Sequence, residues 1–311
     1  MKLPVFVSPA HATNFWTSAD PGNASEPGRS LSALLAVGIE HMPLPHLWKE
    51  TFSDVRRWAG NVRMHSLLLD FDGTLTPLRA DLDPGFVDST VRRVLQEIQD
   101  TGRIAIAIIS GRSLDEIRGR VGICGLIYAG NYGMEIRGPA VRYIDGTALA
   151  ARDEIQLLAL RFKYDLRRFQ NLQIRNKGLS ITIHWSTPQL PEIRKEIRRV
   201  VIDAVADGSK RFTVRDMLNS IDILPITTWN KGSAQWINRH LNVDVRDSMY
   251  VSDDRCDDGV FASLQEAITV KVGLADNTCA RYVLKDSADV LTLLKLLLIL
   301  LRGLCRGDDS C

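Results

Sequence analysis

Five short apolar runs, four of them closing on polar or charged residues, constrain this chain more than any other feature of its 311 residues. Leu67-Leu68-Leu69 leads into Asp70-Phe71-Asp72-Gly73-Thr74, and Ile104-Ala105-Ile106-Ala107-Ile108-Ile109 into Ser110-Gly111-Arg112. Leu126–Ala129 leads into Gly130-Asn131, and Met249-Tyr250-Val251 into Ser252-Asp253-Asp254; Ile268–Val272 is the fifth. Continuous apolar runs of this length read as strands covered on both faces, as in a parallel sheet. Helical segments are expected between them, at Val87–Asp100, Leu114–Val121, Gly232–Leu241 and Asp257–Ala267. Strand alternating with helix predicts a doubly wound α/β core. Ligands of such sheets bind beyond the C-terminal strand ends, which is where the polar residues cluster.

The middle of the chain breaks this alternation. Residues 153–168 read as a helix, Leu172–Arg175 and Ser180–Trp185 as strands, Leu190–Ala206 as a helix, and Phe212–Met217 and Ile221–Leu224 as strands. This α-β-β-α-β-β order suits an antiparallel sheet with helices on one face, and predicts an α+β domain inserted at 150–225. The core then comprises 63–149 and 226–303. Residues 1–62 form an arm and a helix, and 304–311 a tail. Pro, Ser, Gly and Asn between 8 and 30 suggest a flexible arm. Trp48, Phe52, Val55, Ala59 and Val62 then fall at helical spacing.

Composition narrows the function classes. Lys plus Arg is 39 and Asp plus Glu is 37, a net charge of +2, so no bulk field attracts nucleic acid. The stretch Val290–Leu301 is too short to span a bilayer and contains Lys295, so a buried terminal helix is expected. The opening residues lack a signal-type apolar run, and no two of the five cysteines have C-x-x-C spacing. Reduced thiols in a cytoplasmic protein are expected.

The strand ends carry the chemistry. Two carboxylates, Asp70 and Asp72, at the turn through Gly73 can share a hard cation such as Mg²⁺. Asp70 can also attack phosphorus, and Asp72 can protonate a leaving alkoxide and later activate water. Ser110 can donate to a phosphoryl oxygen, with Gly111 allowing close backbone approach. Lys231, opening a helix, favours a bound anion. Asp253, Asp254, Asp257 and Asp258 put four carboxylates in six positions after a strand; they repel unless a cation or a basic partner offsets them, and the preceding strand favours a metal site over a solvated helix start.

In this order, the motifs D-x-D-G-T, S-G-R, Lys and D-D-x-x-D resemble those of haloacid dehalogenase-like phosphohydrolases, and the inserted segment resembles the cap of their sugar-phosphatase branch. More narrowly, residues 66–295 resemble the trehalose-6-phosphate phosphatase family. LLLDFDGTLTPL (67–78), ISGR (109–112), AGNYGMEIRGP (129–139), Lys177-Gly178-Leu179-Ser180 with His184, and Trp229-Asn230-Lys231-Gly232 carry the likeness, as does Val272-Gly273 with Thr278, Ala280, Tyr282 and Leu284. The resemblance implies a Mg²⁺-dependent phosphatase acting on trehalose 6-phosphate through an aspartyl-phosphate. Asp70 is then the nucleophile and Asp72 the general acid/base. Asp70, Asp253 and the Asp72 carbonyl hold Mg²⁺, with Asp254 and Asp257 behind them. Ser110 and Lys231 bind the phosphoryl oxygens. Gly111, Arg112, Asn131 and Glu135 line the sugar side of the core, and Lys177, Ser180 and His184 reach down from the cap. A trehalose-6-phosphate synthase is the implied source of substrate.

The chain departs from the family pattern at several of these sites. Ser252 replaces a Gly, a strained exchange if that backbone needs positive φ. Cys256 replaces Thr, Asp258 replaces Glu, and Tyr132 stands where His is usual. The family's G-K-x-x-E-x-R-P is here Leu218-Asn219-Ser220-Ile221-Asp222-Ile223-Leu224-Pro225. The reacting groups survive while the cap's charges are thinned. Two alternatives follow: a phosphatase of another sugar phosphate, and a catalytically weak homologue that binds sugar phosphate as a regulator.

Overall fold

The computed structural model describes residues 46–61, 63–77, 85–185, 189–207, 211–217, 219–227, 233–254, 257–274 and 278–305, with the backbone alone at 46–51, 304 and 305. The expected arm at 8–30, most of the tail, Cys256 and Lys231 lie outside the described residues. Among those described, no helix is long and apolar enough to cross a membrane.

Eight strands form the central sheet: β1 (His65–Asp70), β2 (Ile104–Ile109), β3 (Ile127–Gly130), β4 (Glu135–Gly138), β5 (Val141–Ile144), β10 (Ser248–Ser252), β11 (Ile268–Val272) and β12 (Tyr282–Leu284). Their order is β12-β11-β10-β1-β2-β3-β4-β5. The first six run parallel, while β4 and β5 pair antiparallel at one edge. Successive side chains of a strand face opposite ways. Leu67, Leu69, Ile106, Ile108, Met249 and Val251 therefore enter one hydrophobic layer, and Leu68, Ala107, Ile109 and Tyr250 the other.

Helices fill the connections. In the first layer lie α1 (His46–Ala59), α2 (Ser89–Asp100) and the C-terminal helix, which becomes α9 (Ser287–Cys305) in chain order. Leu293, Leu294, Leu297 and Leu301 of that last helix are buried, each burial worth roughly 1.5–3 kcal/mol. The helix α3 (Leu114–Val121) starts on Ser113, whose side chain accepts from the Glu116 N–H at 3.3 Å, and ends on Gly122 at φ 66. A short α4 (Gly146–Ala150) precedes the insertion.

The insertion matches the expected order: α5 (Arg152–Asp165), β6 (Leu172–Asn176), β7 (Ile181–Trp185), α6 (Pro191–Ala206), β8 (Phe212–Asp216) and β9 (Ser220–Pro225). Its strands form a separate antiparallel sheet, β6-β7-β9-β8. Ile181, Ile183, Ile221 and Ile223 pack with Ile155, Phe162, Ile197 and Val201 of the two helices in a core of their own. On β7 the polar Thr182 and His184 alternate with these isoleucines, so they face the other way.

The chain then returns through α7 (Ser233–Leu241) and α8 (Asp258–Ser263), whose Ala234, Ile237, Val260 and Phe261 cover the second face of the central sheet. One expectation needs correction, and two elements are additional to those expected. The helix expected over Asp257–Ala267 ends at Ser263, because Leu264 closes it in a non-helical conformation. The β4–β5 hairpin and the three-residue β12 were not anticipated.

Candidate active site

The central β1 ends on Asp70, and Gly73 (φ 80) turns the chain back so that the Leu75 and Thr76 N–H groups bond the Phe71 carbonyl. The buried Thr74 donates to Asp70 Oδ2 at 3.2 Å and accepts the Asp253 N–H at 3.0 Å, joining the β1 and β10 strand ends. Thr74 belongs to the D-x-D-G-T motif, yet its role requires β1 and β10 to be neighbours.

Burial, together with Asp253, Asp257 and Asp72, holds the Asp70 carboxyl well above its ordinary range. Asp70 and Asp253 also hydrogen-bond each other, and burial raises Asp253 in turn. Behind them the buried Lys271 of β11 donates its Nζ to the Asp253 carbonyl. Sequence reading missed Lys271; a lysine inside the apolar run Ile268–Val272 was the available signal.

The next loop positions the remaining acids. Asp257 Oδ2 accepts from the Tyr250 hydroxyl at 2.8 Å and from Ser252 Oγ at 2.6 Å, and Ser252 Oγ accepts the Asp254 N–H at 3.1 Å. The condition for strain at Ser252 is not met: the residue is a buried member of β10 outside the positive-φ region, and its hydroxyl organises the loop. Asp258 does not join the carboxylate cluster. Its Oδ1 accepts from Thr278 Oγ1 at 2.8 Å and from the Cys279 N–H at 3.4 Å, because α8 has begun and turns the side chain away.

At the end of β2, the Ser110 hydroxyl accepts the Arg112 N–H at 3.2 Å and its N–H bonds Ala129. Arg112 donates Nε to Asp72 Oδ2 and Nη2 to Asp72 Oδ1, both at 2.8 Å, and Nη1 to Glu116. The guanidinium is thus committed to Asp72 and Glu116, and Arg112 does not line the cavity between the two sheets. Glu116 also accepts from Arg120 at 3.0 Å. Burial alone would raise the Glu116 carboxyl, but the two arginines hold it below its ordinary range.

After β3 the chain makes a single 3₁₀ turn, Asn131–Gly133, with Asn131 at φ 50 and Tyr132 at φ 59. Here the two sheets meet. Buried Asn131 accepts from Ser180 Oγ at 2.7 Å and donates to the Lys177 carbonyl at 3.2 Å, while Lys177 Nζ donates to the Gly111 carbonyl at 2.7 Å. The Tyr132 hydroxyl donates to Asp222 of β9, which also accepts from Thr182 at 2.6 Å. Burial raises the Tyr132 hydroxyl's pKa well above its ordinary value, and Asp222 adds to the effect. Of the other expected substrate residues, Glu135 on β4 faces Arg152 at 3.8 Å, and His184 has a buried Nδ1 without a hydrogen-bond partner among the described residues. Neither lines the cleft. Tyr132, Asp222 and Arg215 were not expected site residues, since each depends on how the inserted sheet docks.

A cavity of about 80 Å³ lies between the sheets. Asp70, Ser110, Gly111, Asp254 and Asp257 line its core side, with Ser233 at the start of α7. Arg215, Leu224 and Pro225 line the facing side. The hard oxygen donors suit Mg²⁺, which is commonly held by one or two carboxylates plus water and phosphate oxygens. Among the described residues no three His, Cys, Asp or Glu side chains converge on one cation position. Asp70 and Asp253, at the adjoining ends of β1 and β10, supply oxygen donors of the kind such a cation takes.

Residues 68–288 match the family model described as trehalose-phosphatase. The probable trehalose-phosphate phosphatase 4 of Oryza sativa subsp. japonica is 26% identical over 239 residues, covering 73% of this chain and 64% of that protein. Trehalose-phosphate phosphatase B of Arabidopsis thaliana is 25% identical over 246 residues, covering 72% of this chain and 63% of that protein. This chain thus spans somewhat under two thirds of the length of these relatives. Among solved structures, the C-terminal domain of C. albicans trehalose-6-phosphate phosphatase superposes with a TM-score of 0.65 at 19% identity, covering 79% of this chain and 96% of that one. A haloacid dehalogenase-like hydrolase from Bacteroides thetaiotaomicron superposes with a TM-score of 0.53 at 14% identity, covering 75% of this chain and 99% of that one, and these likenesses show a shared fold, an α/β core with an inserted α+β domain.

Proposed function

This chain belongs to the trehalose-phosphatase family, and on that premise we propose that it hydrolyses trehalose 6-phosphate to trehalose and phosphate. The observation that carries the reading is the meeting of Asp70, Asp72, Ser110 and Asp253 at adjoining strand ends, beneath a cap that closes on Gly111 and Asn131. Asp70 and Asp253 would hold Mg²⁺, with the Asp72 carbonyl as a backbone ligand and Asp254 and Asp257 supporting them. When bound, Mg²⁺ supplies charge neutralisation at the phosphoryl oxygens.

The chain's own residues then divide the work. An Asp70 carboxylate oxygen attacks phosphorus, and the bond from phosphorus to the ester oxygen breaks in line. Asp72 gives its proton to the leaving sugar oxygen. In the second half, Asp72 takes a proton from water, whose oxygen attacks the aspartyl-phosphate and restores Asp70. Ser110 donates to a phosphoryl oxygen. Lys231, which precedes α7 in the sequence, would add positive charge at the phosphoryl group. The cap excludes bulk water through the Lys177–Gly111 and Asn131–Ser180 bonds. Synthesis of the substrate by a trehalose-6-phosphate synthase, and a cytoplasmic location, complete this reading.

Leu224 lines the cavity where the family pattern has Arg. That observation favours, as a second reading, the same chemistry on another sugar phosphate. Phosphate release with and without Mg²⁺ from trehalose 6-phosphate, glucose 6-phosphate and sucrose 6-phosphate tests both. Metal-dependent release from trehalose 6-phosphate alone supports the first, and release from another ester the second. Release from none overturns both and leaves a regulatory sugar-phosphate binder.

A further inference from the structure

Tyr132 occupies the seam between cap and core in a way the proposed reaction does not require. Its backbone is left-handed, as is that of Asn131 beside it, a conformation that bulky residues seldom adopt. The turn is held because the side chain is committed on every side. The hydroxyl donates to Asp222, itself buried and bonded to Thr182. Lys177 Nζ lies 5.3 Å and the Arg215 guanidinium 5.2 Å from the ring centroid, so two cap cations flank one core aromatic.

The ring also lies on the phosphate loop. A Cβ placed on Gly111 would sit 2.6 Å from Tyr132 Cζ and 2.8 Å from its hydroxyl oxygen. Tyr132 thus fills the space directly beside Ser110–Gly111, where the alcohol part of a bound phosphate ester has to leave the phosphoryl pocket. What remains is the cavity of about 80 Å³, against roughly 300–1,000 Å³ for pockets that enclose drug-sized ligands. Asp222, the buried acid of the facing cap strand, is engaged by Tyr132 and Thr182 rather than turned to a sugar hydroxyl.

We propose that Tyr132 is a specificity-determining residue, whose ring limits the size of the alcohol and whose hydroxyl pins Asp222 away from it. With this bond closed the site takes a phosphoryl group on a small alcohol. A disaccharide phosphate enters only when Tyr132 releases Asp222. The inference rests on the reading of this cleft as a sugar-phosphate site and adds a size filter to it.

Binding separates the filter from catalysis. Titration calorimetry on the full chain carrying Asp70→Asn, alone and with Tyr132→Phe or Tyr132→Ala, compares trehalose 6-phosphate with glucose 6-phosphate in Mg²⁺. Tyr132→Ala is expected to move the ratio of the two dissociation constants at least tenfold toward the disaccharide. Tyr132→Phe, which keeps the ring and loses the hydroxyl bond, is expected to move it in the same direction by less. A merely structural tyrosine would change both affinities equally. An unmoved ratio, or binding of neither sugar phosphate, overturns the proposal, and Tyr132→Phe decides if the alanine variant fails to fold. Failure of the phosphatase reading shows separately, as wild-type protein that binds these esters without releasing phosphate.

Discussion

Arg112 grips Asp72 through two parallel hydrogen bonds, Nε to Oδ2 and Nη2 to Oδ1, each 2.8 Å long. The third arm of the guanidinium is fixed by Glu116, so the fork has one orientation. This fixes the carboxyl expected to pass a proton to the leaving group and take one from water. A lysine keeps the charge but cannot hold both oxygens. Asp72 is 39% exposed, so solvent screens the pair and lessens its worth. Arg112→Lys is therefore expected to lower kcat/KM about tenfold, and Arg112→Ala further, through kcat more than KM. Steady-state kinetics with trehalose 6-phosphate check this. A faster Arg112→Lys enzyme would mean that the grip restrains Asp72 rather than orienting it.

Asp70→Asn is expected to abolish turnover and raise stability in metal-free protein. Burial and the neighbouring Asp253, Asp257 and Asp72 raise the folded pKa of Asp70 above its unfolded value. The folded state then binds more protons, so stability is lost as pH rises from about 3.9 through the raised value. Asparagine removes that loss. In EDTA at neutral pH the variant should melt higher, by about 2–4 °C for each 1 kcal/mol relieved, with the gap closing toward pH 4. Thermal melts across pH check it; a variant that melts lower by a constant amount would contradict the crowding.

Much of this arrangement is legible in sequence because buried parallel strands need uninterrupted apolar runs. Leu67–Leu69 and Ile104–Ile109 announce both the strand and the polar turn that follows it. The edge hairpin is not legible: β4 and β5 have four residues each and bury a single position apiece, Ile136 and Val141. The site divides the same way. Asp70, Ser110 and Asp253 stand at strand ends and follow from the run itself. Lys271 reaches Asp253 only because β10 and β11 are neighbours in register, Ser252 opposite Lys271. Tyr132 and Asp222 are 90 residues apart and meet only when the inserted sheet docks on the core. Asp258 fails for the converse reason, since local charge density gives no direction to a side chain at a helix start.

Ser252→Ala tests whether the serine at the end of β10 has become part of the metal site. Its hydroxyl bonds both Asp257 and the Asp254 N–H while completely buried. Alanine leaves the strand backbone intact and removes both bonds. Half-saturation by Mg²⁺ is expected to rise about tenfold, the range seen when groups behind metal ligands are removed. Stability should fall by about 1–3 kcal/mol. Activity titrated against Mg²⁺, with a denaturant melt, checks both. Unchanged Mg²⁺ dependence would leave Ser252 a packing residue.

Gly130→Ala is expected to damage stability and activity together, for a reason unrelated to backbone conformation. Gly130 has φ −95, which any residue adopts. A Cβ there would sit 2.4 Å from Leu114 N, 2.6 Å from Leu114 Cα and 3.0 Å from the Ser113 carbonyl carbon. These are backbone atoms at the start of α3, and the helix cannot retreat because Ile117 and Val121 are fully buried. The adjoining Asn131 N–H bonds the Arg112 carbonyl at 2.6 Å, so any shift reaches the loop that holds Asp72. Overpacking of this kind costs about 1–3 kcal/mol. Gly119, on the same helix, has open space around its Cβ position. Gly119→Ala should therefore raise stability by about 0.5–1 kcal/mol and leave kcat/KM unchanged. Denaturant melts and kinetics on the two variants separate the effects. Equal stability of both would show that the close approach of β3 to α3 is not required.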